Sequence, residues 1–167
     1  MGEKYVIRQA ELQDLDEIAN LEILCFPEKE AASKAAFFER LSVYANHFWL
    51  LEKDGHIASM INGMVVDDKD LRDELYHNAK LHNERGKWQM IFGVETHPEY
   101  QQKGYAAILM NRVIEDAITQ KREGIVLTCK EGLIHYYEKF GFANEGISDS
   151  EHGDVIWYQM RLRLLCE

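Results

Sequence analysis

Cysteine is scarce: three residues, Cys25, Cys129 and Cys166, stand far apart in a chain of 167, with no CxxC pair. An odd, scattered set argues against a disulfide framework and a cysteine zinc site, and favours a reducing compartment. Proline is scarcer still, at Pro27 and Pro98 only, and no Ser- or Gly-rich stretch breaks the chain. That leaves no linker, repeat or low-complexity tract, so one domain spanning residues 1–167 is expected. The chain also lacks an apolar run near the roughly 20 residues needed to cross a bilayer. Met1-Gly2 leads straight into a charged, patterned segment, which reads as no signal peptide, and a cytoplasmic location is expected. Basic runs are missing as well. With 29 acidic residues against 19 basic, the formal charge is -10, which excludes the Lys/Arg stripe of a nucleic-acid binder. The acidic balance suits a cationic amine substrate and equally suits the ordinary surface of a soluble protein.

What is present is a globular composition, 46% hydrophobic and 29% charged. Tyr5-Val6-Ile7-Arg8 reads as an opening strand. Leu12, Leu15, Ile18 and Ala19 follow at helical spacing, giving a helix that ends near Pro27. A second helix is expected from about Ala31 to Leu41, with Phe37, Phe38 and Leu41 inward. Phe48–Leu51 and Ile57–Ile61 flank Lys53-Asp54-Gly55-His56, and Asp-Gly between apolar runs signals a hairpin. Asp67–Arg85 is polar, with leucines spaced for a partly exposed helix or a structured loop. Trp88–Val94 suits a central strand, and a helix begins at Tyr105 with Ala106, Met110, Val113, Ile114 and Ala117 on one face. Ile125–Cys129 is a second buried strand and Leu133–Lys139 a short helix. Phe140-Gly141-Phe142 then turns the chain into another strand, and Val155–Met160 closes the sheet. Hairpins first, then strands alternating with helices, predict an α/β (α+β) mixed sheet of about six or seven strands flanked by about four helices.

The segment with most chemical content is Gln101-Gln102-Lys103-Gly104-Tyr105-Ala106, set between a buried strand and an amphipathic helix. A helix N-terminus offers N–H groups and the positive end of the dipole, both suited to a phosphate. Gly104 lets a ligand approach the backbone without a Cβ, and Ala106 and Ala107 keep the next turn accessible. Alone, such a glycine is as well read as a simple turn. Its companions change the reading. Gly93-Val94-Glu95-Thr96-His97-Pro98-Glu99-Tyr100 precedes the loop, and Tyr136-Tyr137-Glu138-Lys139-Phe140-Gly141-Phe142 follows it downstream. In order and spacing these three segments resemble the GNAT superfamily of N-acetyltransferases, whose cofactor loop reads Gln/Arg-x-x-Gly-x-Gly/Ala. Gln101, Gly104 and Ala106 fill its three positions. Within the superfamily, Leu127-Thr128-Cys129-Lys130-Glu131-Gly132-Leu133-Ile134-His135-Tyr136-Tyr137 is similar to the arylalkylamine (serotonin-type) group.

The resemblance implies acetyl-CoA as acetyl donor, a small-molecule or peptide amine as acceptor, and no metal. It implies that backbone groups of Val94 and Thr96 pair with the pantetheine arm as an extra strand would. Gln102, Lys103, Gly104, Tyr105, Ala106 and Ala107 would cradle the pyrophosphate, and Tyr137 would protonate the departing thiolate. The arylalkylamine group carries two histidines on the strand before the loop, where this chain has Met90 and Phe92, neither able to accept a proton. Alternation puts Glu95 on the opposite strand face, and His97 lies past the strand end, so the base is unassigned. The rival reading is a non-catalytic acyl-CoA-binding sensor. A nucleotide-binding module would need a Walker lysine or GxGxxG pattern, and neither occurs.

Other conspicuous residues have plain readings. Cys129 reads as a small core hydrophobe, Tyr136 and Tyr137 without the motif as core aromatics, and His135 as solvent-facing. His77 and His82, five apart, do not share a helical face. Trp49, Trp88 and Trp157 read as core or pocket wall. The acceptor's identity, and the choice between monomer and homodimer, stay open.

Overall fold

The structure is a computed structural model that describes residues 4–164. Cys166 lies outside them, as does Met1-Gly2. Two units divide the chain. The first runs up to Gly63 and resumes over Gly93–Val113; the second comprises Met64–Phe92 and the chain from Ile114 onward.

The first unit holds a four-stranded antiparallel sheet. Its strands are β1 (Val6–Gln9), β2 (Phe48–Lys53), β3 (His56–Asn62) and β6 (Gly93–Thr96), in the order β1-β2-β3-β6. The expected β2–β3 hairpin is present. Asp54 and Gly55 both have positive φ, 54° and 79°, as a two-residue hairpin turn requires. Helix α1 (Leu15–Cys25) starts three residues later than the first expected position, because Leu12–Asp14 forms a 3-10 turn. Helix α2 (Lys34–Tyr44) starts where the Ser33 hydroxyl accepts from the Ala36 N–H at 3.0 Å, an N-cap. Phe37 and Leu41 are buried as expected. Phe38 is not: it is 49% exposed, because Arg40 and Tyr44 take the inward positions with Phe37 and Leu41.

The second unit holds a five-stranded mixed sheet, ordered β4-β5-β7-β9-β8. These are β4 (Val65–Val66), β5 (Trp88–Ile91), β7 (Gly124–Cys129), β8 (Ala143–Ile147) and β9 (Tyr158–Arg163). β5 and β7 are parallel, and the other pairings are antiparallel. β7 is sealed from Gly124 to Leu127, as a central strand should be. Helix α3 (Asp73–His77) and a 3-10 turn Ala79–Leu81 replace the ambiguous polar stretch, burying Leu71 and Leu75. Helix α5 (Ile134–Glu138) leads to Gly141, whose φ of 103° reverses the chain toward β8. The closing strand starts at Tyr158 rather than Val155, because Trp157 is held by its indole N–H, which donates to the His152 carbonyl at 2.6 Å.

Helix α4 (Tyr105–Thr119) begins in the first unit and ends in the second. Its buried positions are Tyr105, Leu109, Met110, Val113 and Ala117, while Ala106 and Ile114 are half-buried. The fold is α/β, with mixed-sheet strands flanked by helices. Nine strands and five α-helices occur among the described residues. The two strands beyond expectation are the short β4 and the product of a break: the Trp88–Val94 run splits at Phe92 into β5 and β6. No helix among the described residues is long and apolar enough to cross a membrane.

Candidate active site

The cofactor-loop residues fall on one continuous path in the first unit: β6, a 3-10 turn Pro98–Tyr100, the loop Gln101–Gly104, and the start of α4. β6 is an edge strand of its sheet. Its main-chain directions follow from register. The His97 N–H donates to the Ala58 carbonyl at 2.8 Å, so Ala58 and His97 form a hydrogen-bonded pair. Antiparallel pairs alternate, so Glu95, opposite Met60, also turns its N–H and C=O toward β3. Val94 and Thr96 therefore turn theirs to the open edge, where the Cys25 thiol donates to the Thr96 carbonyl at 3.3 Å.

Beyond β6 the backbone twice enters the left-handed region, at Gln102 (φ 63°) and Gly104 (φ 79°). Gln101, Gln102, Lys103 and Gly104 are exposed, and a Cβ on Gly104 would meet nothing within 4 Å. The glycine is needed there for its conformation, and the space over it is open. The Gly104 carbonyl accepts from the Ile108 N–H at 3.0 Å, so Gly104 caps α4. Tyr105 is buried, 6.1 Å from the Tyr5 ring and 6.4 Å from Tyr100, which anchors the first turn. That turn has no acidic side chain to counter the positive dipole end, and Ala106 and Ala107 are only half-buried.

On the other face of β6, Glu95 points into the unit and is 2% exposed. The side chains around it are Glu22 and Cys25 of α1 and Arg40 of α2. Neither Glu95 oxygen accepts a hydrogen bond from a donor among the described residues. Burial first, then the adjoining Glu22 carboxylate, pushes the Glu95 carboxyl well above the usual range. With a proton on Glu95, two acceptors in contact become a carboxyl–carboxylate hydrogen bond. Glu22 in turn accepts from the Ala32 N–H at 2.8 Å, and Arg40 donates to the Asn62 amide oxygen at 3.1 Å. Glu95 is thus a sealed carboxyl whose burial favours the protonated form. His97 accepts from the Glu99 N–H at 3.1 Å and lines a cleft of about 310 Å³ with Glu17, His56 and Glu99.

In the second unit, Tyr137 sits on α5, 6% exposed, edge-on to Tyr136 at 5.1 Å and to Phe142 at 6.0 Å. Burial, then the neighbouring Tyr136 and Cys129, raises its hydroxyl above the ordinary range. It therefore keeps its proton through neutrality, as an acid must. Cys129 ends β7, and burial pushes its thiol up to about 11. It is a protonated core thiol, as its position in a central strand suggested. His135 is exposed, 3.7 Å from Glu138. Met90 is sealed and Phe92 half-buried. Trp49 and Trp88 are core, whereas Trp157 is half-buried. Sequence reasoning missed the Glu22–Glu95 contact and the packing of the Tyr76 ring against Phe92 and against His152, because these join residues apart in the chain.

The family model described as "Acetyltransferase (GNAT) family" matches residues 15–142. Serotonin N-acetyltransferase of Mesocricetus auratus is 25% identical over 115 residues, 68% of this chain and 54% of that protein. The chain thus corresponds to about half that relative's length. The loading GNATL domain of CurA from Lyngbya majuscula superposes with a TM-score of 0.78 at 17% identity, covering 96% of this chain and 98% of that one. A Brucella melitensis GNAT family acetyltransferase, solved in complex with acetyl-CoA, superposes at 0.62 with 16% identity, covering 99% and 92%. The two structures share the fold, and the family match extends over both units of this chain. The chain belongs to the GNAT family of acetyltransferases.

Proposed function

We propose that the chain transfers the acetyl group of acetyl-CoA to a primary amine of a small molecule or peptide. The neutral amine attacks the thioester directly, without a covalent enzyme intermediate. The observation that carries this reading is the unbroken path from an open strand edge, through a left-handed exposed turn, to a helix N-terminus without acidic side chains. The main-chain groups of Val94 and Thr96 suit the amides of a pantetheine arm. Gln102, Lys103, Gly104, Tyr105, Ala106 and Ala107 suit its pyrophosphate, through backbone N–H groups, the helix dipole and one ammonium. Tyr137, kept protonated by burial, gives its proton to the departing thiolate. Positioning and backbone stabilisation of the oxyanion supply the rest of the rate, and no metal takes part.

The test is thiol release from acetyl-CoA with a panel of primary amines, polyamines and peptide N-termini, the product identified by mass. Amine-dependent release with one acetyl group added to the amine is the expected result. Binding of acetyl-CoA without release for any amine would make the chain an acyl-CoA sensor instead. Equal affinity for ATP and CoA would point to a nucleotide module.

A further inference from the structure

The cleft beside His97 takes no part in the acetyl transfer proposed above. It lies past the Thr96 end of β6, where the chain turns toward the pyrophosphate loop, whereas the thioester would lie toward Gly93. Helix α1 forms part of its wall: Glu17, Leu21 and Leu24 fall at i, i+4 and i+7 and so share one helical face. The rest of the lining comes from the start of β3 and from the turn Pro98–Tyr100. All of these residues belong to the first unit.

The lining combines an apolar floor with negative charge. Leu21 and Ile57 are each 2% exposed and form the floor, while Leu24 stays 53% exposed. Glu17 and Glu99 supply two carboxylates, and none of the described residues lining the cleft is Lys or Arg. One Glu17 oxygen accepts from the Ile57 N–H at 2.6 Å and faces the His56 ring at 4.0 Å, which leaves the second oxygen for a ligand. The Glu99 side chain is exposed, and its main-chain N–H donates to His97 Nδ1 at 3.1 Å, which braces the turn that carries it. The Tyr100 ring is half-buried, 5.8 Å from His97 and 6.4 Å from Tyr105. No three imidazole or carboxylate ligand atoms of the cleft lie within 4.8 Å of one another, so a metal ion finds no preformed site in it. An organic cation fits better. An aliphatic chain suits the floor, an ammonium at each end suits the two carboxylates, and the Tyr100 face attracts positive charge. A volume of about 310 Å³ is at the small end of ligand pockets, which suits a short chain.

We propose that this cleft binds a short aliphatic diammonium ion, and that its occupancy strengthens the hold of the neighbouring loop on CoA. The second half rests on the cofactor-loop reading above. Three peptide units separate Glu99 from Gln102, so their Cα atoms lie within about 11 Å, close to a Debye length at about 0.1 M salt. A carboxylate that near opposes a pyrophosphate at the loop, and an ammonium beside it removes the opposition. The same turn carries Tyr100, whose ring meets Tyr105, the anchor of the first turn of α4. A ligand packed against Tyr100 therefore steadies the helix end that offers its N–H groups to phosphate. Linkage is reciprocal, so CoA tightens the diammonium ion by the same factor.

The test titrates 1,4-diaminobutane into the full chain by calorimetry at low ionic strength, with and without CoA. CoA replaces acetyl-CoA so that no acetyl transfer consumes the amine. The natural chain should bind the diamine and not butane-1,4-diol, which has the same length without charge. Glu99→Gln should weaken the diamine about two- to fivefold, the scale of one exposed ion pair. Glu99→Lys, which tethers an ammonium at the cleft, should abolish diamine binding and hold CoA as tightly as the natural chain saturated with diamine. In the natural chain, saturating diamine should tighten CoA about fivefold. No diamine binding, or binding that is equal in the natural and folded Glu99→Lys chains, would overturn the cleft assignment. Diamine binding that Glu99→Lys abolishes, with no effect of diamine on CoA affinity, would overturn the coupling. A natural chain that bound no CoA would remove the cofactor-loop reading, and the diamine titration alone would still decide the cleft.

Discussion

The two units present different kinds of groups. The first offers main chain: the open edge of β6, the left-handed turn at Gln102 and Gly104, and the start of α4. The second offers functional groups: the Tyr137 hydroxyl and the half-open wall of Phe92, Tyr76, His152 and Trp157. A main-chain site depends on conformation and tolerates side-chain change wherever φ/ψ survives. A side-chain site depends on single atoms and fails when one hydroxyl or ring nitrogen is removed. Substitutions in the two units should therefore separate cleanly into affinity effects and rate effects.

The largest effect belongs to the second unit. Tyr137→Phe deletes one oxygen and leaves the ring contacts with Tyr136 and Phe142, so stability and acetyl-CoA affinity should hold. Loss of a general acid typically costs about 10²- to 10⁴-fold, and the loss should fall on kcat. Tyr136→Phe, next door, should be mild. Equal small effects from both would return Tyr137 to a packing role and blur the division.

The next effect belongs to the first unit and should have the opposite signature. Gly104 holds φ 79°, which costs a β-branched residue about 1–2 kcal/mol, and the new side chain would also project into the space left for a phosphate. Gly104→Val should weaken acetyl-CoA binding by about tenfold or more, about 1.4 kcal/mol, in a chain that still folds. Isothermal titration with CoA reads this directly. Gly132→Ala is the control, because that glycine has no positive φ and no atom within 4 Å of an added Cβ. A folded Gly104→Val chain with natural affinity would remove the loop from the cofactor site.

The same division explains how much the sequence revealed. The β2–β3 turn and the α4 start were legible because each depends on neighbours within a few residues: Asp54-Gly55 and Gly104. The break at Phe92 was not, because hydrophobic periodicity runs smoothly through Ile91, Phe92 and Val94 while the pairing partner changes from β7 to β3. Phe38 looked inward by hydrophobicity alone, and the buried Arg40 two residues later shows which face α2 presents. The wall around His152 needed the fold, since α3, β7 and the segment before β9 are remote in sequence. The polar stretch after Asp67, which reads as either a partly exposed helix or a structured loop, hid it while containing the Asp73 and Tyr76 that pack with the His152 segment.

The smallest expected effect separates Glu95 from the chemistry altogether. Its carboxyl is raised by burial and by Glu22, so the folded state favours the protonated form more than the unfolded state does. The sign follows. The contribution of Glu95 to stability is complete below the ordinary carboxyl range and is lost as pH climbs toward its raised folded value. Asp14 runs the other way: Arg8 lowers it through a 2.8 Å ion pair, so its contribution is lost on acidification. Glu95→Gln cannot ionise, and its amide can donate to the Glu22 carboxylate as the protonated acid does. In urea titrations the variant should match the natural chain in acid and exceed it at alkaline pH by on the order of 1 kcal/mol, the scale of one buried polar group relieved. A variant less stable at every pH would mean that the natural carboxylate is ionised and held by Arg40. Activity supplies the second readout. Because Glu95 is sealed, its conversion to glutamine should leave the kcat/KM–pH profile unchanged. A plateau above pH 7 that is independent of the amine and disappears in Glu95→Gln would make Glu95 the base, and bring side-chain chemistry into the first unit.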